Sequence, residues 1–103
     1  MDSAQTARWR LWRPVRRHFL WRYTSFEPLR SELILAEKTL ELNSVGTLLW
    51  EHLDGTRLAA HLVDLLQETY PSVPIERLNR DIFEFLLFGH KEQIIYLDWN
   101  PLP

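Results

Sequence analysis

Four histidines, His18, His52, His61 and His90, are the side chains of this 103-residue chain best suited to proton transfer or metal binding near neutral pH. A metal site needs such ligands at helical or hairpin spacing. No pair stands as His-x-x-x-His, His-Glu-x-x-His or His-x-His. Cysteine is absent, which removes thiolate ligands, thiol nucleophiles and disulfides. His52 and His61 fall in helical patterns close to Glu51 and Asp64, as on a solvated face. Asp81 and Glu84 share another such face, and Asp54 before Gly55 reads as shaping a helix end rather than as an acid. Three glycines in all leave no phosphate loop and no nucleophile elbow. The residues point away from an enzyme, a metal and a cofactor. What is left is the chemistry of the backbone, whose N–H and C=O groups on a strand border can pair with another chain.

Such a border needs a sheet to carry it. Residues 17–25 place Phe19, Trp21 and Tyr23 on one face at period two, which predicts a strand, and residues 26–31 a loop. Glu32 to Glu37 and Lys38 to Leu42 predict a hairpin turning at Glu37-Lys38. Three helices follow. Asn43 or Ser44 caps the first, which carries Val45, Leu48, Leu49 and Leu53 and stops at Gly55. Thr56 caps the second, whose Leu58, Leu62, Leu65, Leu66 and Tyr70 form one stripe ended by Pro71. Pro74 opens the third, which runs to about Phe88 with Gly89 as its stop. A short last strand spans Ile94 to Trp99. The expected fold class is α+β and winged-helix-like, a small antiparallel three-stranded sheet followed by a three-helix bundle. The expected organisation is a basic arm (1–16) with a frayed start, one folded domain (17–99) and a short tail (100–103). Within the arm, Arg8 to Arg13 reads as an edge strand or an ordered strap interrupted by Pro14.

The third helix has more apolar surface than a surface helix needs. Ile75, Leu78, Ile82, Phe85 and Leu86 already supply a core-facing stripe. Phe83 and Leu87 add a second, with Phe88 beside it. Two readings are open: the spare stripe walls a groove for an extended peptide, or it packs under the Trp-rich arm.

Composition narrows the partners. The net charge of −2 conceals seven arginines against two acids in residues 1–30, and five bases against twelve acids in the remainder. Arg8, Arg10, Arg13, Arg16, Arg17 and Arg22, interleaved with Trp9, Trp12 and Trp21, would suit a nucleic acid. The third helix argues against it, since Glu76, Arg77, Arg80, Asp81 and Glu84 sum to −1 where phosphate would have to be held. No apolar run approaches the roughly 20 residues that span a bilayer. A cytoplasmic protein without a membrane partner is expected.

Several of these residues form a recognisable set: Leu33-Ile-Leu35, Thr39-Leu-Glu-Leu-Asn43, Val45-Gly-x-x-Leu-Trp50-x-x-Leu-Asp54-Gly55-Thr56, Tyr70, and Asp81-Ile-x-x-Phe85-Leu. In them the chain resembles the PqqD-like proteins, small peptide chaperones whose fold serves as the recognition element of ribosomal peptide natural-product pathways. It departs from them at Ala36-Glu37-Lys38, where a Pro-Glu pair often opens the turn, and in its longer Arg/Trp arm. The resemblance implies a non-catalytic protein. The leader segment of a precursor peptide would add as an antiparallel strand between the third strand and the third helix, for presentation to a separate modifying enzyme such as a radical SAM protein or a peptidase/cyclase. Carried onto this chain, the strand border is Lys38, Thr39, Leu40, Glu41 and Leu42, and the helix wall is Asn79, Arg80, Phe83 and Leu87. A winged-helix nucleic-acid-binding protein and an adaptor subunit of a larger enzyme are the alternatives.

Overall fold

In chain order the elements are a 3-10 turn (Trp9–Leu11), β1 (Val15–Arg16), β2 (Arg22–Phe26), β3 (Arg30–Ile34), β4 (Thr39–Leu42), α1 (Ser44–Glu51), α2 (Ala59–Thr69), α3 (Ile75–Lys91) and β5 (Ile95–Tyr96). The computed structural model describes residues 8–17, 22–26, 30–35 and 37–97. It divides into two compact units, His18–His52 and Met1–Arg17 with Leu53–Pro103. The protein is α+β, with three helices and small antiparallel sheets among the described residues.

In the unit His18–His52, β2, β3 and β4 pair antiparallel in that order. Burial alternates along β3, with Ser31 and Leu33 buried between more exposed neighbours, as a strand with one covered face requires. The register sets Leu33 opposite both Tyr23 and Leu40, and Ser31 opposite Leu42. Helix α1 covers this face. Its Thr47 hydroxyl lies 2.8 Å from that of Ser31 and donates to the Leu42 carbonyl at 3.3 Å, so two buried hydroxyls satisfy each other. The Tyr23 ring is 6.5 Å from that of Trp50, and its hydroxyl donates to Glu51 at 3.0 Å. Asn43 caps α1, its Oδ1 accepting from the Gly46 amide at 2.8 Å.

The other unit is built from α2, α3 and the basic arm. Leu62, Val63 and Leu66 of α2 and Leu78, Ile82 and Leu86 of α3 are buried, together with Trp9, Val15, Leu53 and Ile95. Strand β1 pairs antiparallel with β5 and bridges to Asp54 on its other side. Backbone bonds run from Arg16 N–H to Leu53 (3.0 Å), Gly55 N–H to Pro14 (3.2 Å), Ala59 N–H to Trp12 (2.7 Å) and Arg17 N–H to Ile94 (2.9 Å). The arm from Trp12 to Arg17 is therefore held on both sides.

Several sequence expectations need correction. Of the two readings of Arg8 to Arg13, the edge strand is not formed: Trp9–Leu11 is a 3-10 turn. Strand β3 begins at Arg30, inside the expected loop, and α1 groups with the sheet. Helix α1 ends at Glu51, with His52 as its C-cap, before Gly55; Gly55 takes a positive φ of 82° in the turn beyond. Thr56 does not cap α2. Its amide and hydroxyl donate to Asp54 Oδ1 at 2.9 and 2.6 Å, an Asx-type turn that outcompetes the cap. The helix starts three residues later, with His61 Nδ1 accepting the Leu58 amide at 3.2 Å. Helix α3 runs through Gly89 to Lys91. The glycine is there for closeness: a Cβ on it would lie 2.6 Å from Ile95 Cγ1. His18, Phe19, Trp21, the first seven residues and the tail lie outside the described residues.

Candidate functional site

The five strand residues do form a border. Among the described residues β4 pairs with β3 alone and has no neighbour on its other side. Which groups face outward follows from the turn. The Leu35 amide donates to the Lys38 carbonyl at 2.9 Å, so Leu35 and Lys38 are a hydrogen-bonded pair. Such pairs alternate along an antiparallel ladder. Leu33–Leu40 and Ser31–Leu42 are then the next hydrogen-bonded pairs, and the N–H and C=O groups of Thr39 and Glu41 turn away from β3. A turn one residue later, at Glu37-Lys38, would have reversed this. The side chains follow the same alternation: Leu42 is buried and Leu40 half-buried on the face covered by α1, while Thr39 and Glu41 are exposed on the opposite face. Glu41 stands directly across from Glu32.

The helix residues, on α3 in the other unit, separate into two pairs. Asn79 and Phe83 are engaged by the arm. The Phe83 ring lies 5.5 Å from that of Trp9 and stacks at 6.3 Å and 23° against Trp12. Asn79 Oδ1 accepts from Arg10 at 3.5 Å, and its amide donates to the Ile75 carbonyl at 2.9 Å. Trp9 is only 2% exposed. Phe83 of the surplus apolar stripe is thus used internally, and the arm's tryptophans are the residues the groove reading undervalued. Their signal was visible as Arg-Trp-Arg-Leu-Trp beside an unmatched aromatic helix. Arg80 remains exposed, and Leu87 and Phe88 are 40% and 39% exposed.

The histidines and Asp54 have local structural partners. His52 Nδ1 lies 2.8 Å from the Leu48 carbonyl, and His61 closes the start of α2. The Asp54 carboxyl is held below its usual range, first by the Thr56 hydroxyl and amide and further by Arg57 at 2.9 Å. No cluster of three metal-ligating side chains occurs among the described residues. No described helix is long and apolar enough to cross a membrane.

The family model for coenzyme PQQ synthesis protein D (PqqD) matches residues 33–95, more than half of the chain. The chain belongs to the PqqD family. Proteins of the PqqD family are non-catalytic, peptide-binding, chaperone-like partners in cofactor and peptide natural-product biosynthesis. No curated protein and no solved structure matches the chain. The matched span begins at Leu33 and ends at Ile95, so it takes in β4 and α3 and omits the arm.

Proposed function

We propose that this PqqD-family protein captures the leader segment of a ribosomally made precursor peptide as a strand added to β4, and presents the remainder to a separate modifying enzyme such as a radical SAM protein. The observation that carries this reading is the border of β4, unpaired among the described residues, with Thr39 and Glu41 offering two N–H and two C=O groups outward. Four backbone hydrogen bonds at roughly 0.5–1.5 kcal/mol each, plus one or two apolar anchors, offset the ordering of the guest and give affinity near micromolar or tighter. Lys38, Leu40 and Leu42 complete the strand portion. Family resemblance assigns Asn79, Arg80, Phe83 and Leu87 to the same peptide; of these, the exposed Arg80 and Leu87 are the better candidates for direct contact. A winged-helix arrangement of the elements belongs to the same reading.

The test is a calorimetric titration of the full chain with the leader of a precursor peptide encoded beside its gene. Saturable one-to-one binding, little weakened by added salt, is expected. Absence of binding at hundreds of micromolar overturns the reading. Steeply salt-dependent binding to DNA instead would favour the nucleic-acid alternative. Burial of Trp9, together with the Trp12–Phe83 stacking, already weighs against that alternative, because two of the arm's rings are committed to α3.

A further inference from the structure

The border of β4 carries a charge arrangement that a self-contained sheet would avoid. Glu32 and Glu41 are direct cross-strand neighbours on β3 and β4, and like charges so placed are destabilising. They form a non-hydrogen-bonded pair, the kind in which side chains approach more closely. Among the described residues neither carboxylate has an ion pair, whereas Asp54 and Asp81 elsewhere do. Arg30, exposed on the same face of β3, makes no ion pair among the described residues either. Glu41 is also one of the two residues whose backbone is turned toward an incoming strand. In an antiparallel addition, the guest residue directly opposite Glu41 exchanges both backbone bonds with it and projects its side chain from the same face.

We propose that the β4 edge selects an extended peptide with Lys or Arg directly opposite Glu41, flanked on both sides by apolar residues. This deepens the peptide-capture reading and rests on it. The flanking preference follows from the alternation: the guest residues opposite Leu40 and Leu42 lie on the face that α1 covers, where Leu42 is buried and Leu40 half-buried. The basic residue relieves the Glu32–Glu41 repulsion that the free protein tolerates. A second copy of this chain is the poorer occupant, because its own β4 would bring another Glu41 to an edge that already holds two carboxylates. Edge charges that prevent self-pairing are a common protective device, and this one leaves a cationic strand welcome.

The experiment uses a display library of random 12-residue peptides selected against the full-length chain and, in parallel, against Glu41→Lys. Residue 41 is exposed, so the variant should keep the wild-type fold, which its circular dichroism checks. Wild-type selections are expected to converge on apolar–Lys/Arg–apolar. Changing that basic residue to Glu in a selected peptide should weaken binding about fivefold, and Glu41→Lys should reverse the preference. Raising salt to 1 M should shrink the discrimination. Peptides that protect the Thr39 and Glu41 amides from exchange, yet show no basic preference and no reversal, overturn this proposal while peptide capture stands. Failure to enrich any peptide, or protection confined to other elements, overturns both.

Discussion

At the scale of single residues, two backbone positions and one carboxylate carry distinct expectations. Thr39 and Glu41 direct their N–H groups outward, so proline at either site removes a donor that only a guest strand uses. Thr39→Pro or Glu41→Pro should weaken leader binding about tenfold while leaving the thermal midpoint nearly unchanged. Leu40→Pro, between them, breaks a bond to Leu33 inside the sheet and should lower the midpoint sharply; equal behaviour of the three variants would mean that the assigned alternation is wrong. Asp54 supplies a pH signature. Its folded-state pKa is depressed, so its contribution to stability is present above the unfolded carboxylate range and fades as pH falls through the folded value. Urea midpoints measured downward from pH 6 should fall with acidity less steeply in Asp54→Asn than in the parent chain. Asp54's structural role could be read from its place before Gly55. The outward direction of Thr39 and Glu41 could not, because moving the turn by one residue inverts it and no Asn-Gly pair marks the loop.

At the scale of elements, helix interiors were legible and helix ends less so. Leu62, Leu66, Leu78, Ile82 and Leu86 are buried where periodicity required. The ends moved because side chains competed for the same backbone groups. Asp54 took the Thr56 amide, and the capping role passed to the Leu58–His61 turn. Gly89 read as a stop because glycine often ends helices, whereas here it admits β5 against α3. Gly89→Ala should therefore destabilise the protein by about 1–3 kcal/mol through the clash with Ile95, despite the better helix propensity of alanine. A chemical-denaturation midpoint equal to or above the parent's would show that Ile95 yields without cost.

At the scale of the whole molecule, the arm changes what the third helix means. Its spare stripe left both readings open, a binding wall or packing under the arm, because the partner of Phe83 lies about 70 residues away in sequence. With Trp9 buried against it, Phe83→Asp would disturb the unit's own packing and confuse binding with folding. Leu87→Asp, on a side chain 40% exposed, avoids that difficulty. Trp9→Ala should cost about 3–5 kcal/mol in a denaturation experiment, as burial of a large aromatic requires; a loss below 1 kcal/mol would mark the arm as an accessory. The family match runs from Leu33 to Ile95 and leaves out the arm.

The claim that a leader peptide joins the sheet at β4 meets its most direct test in residue-resolved amide hydrogen exchange, recorded with and without saturating leader peptide. Thr39 and Glu41 should pass from fast to strongly protected, with Leu40 slow in both states. Saturable binding that leaves the Thr39 and Glu41 amides exchanging at their free rates would contradict the account.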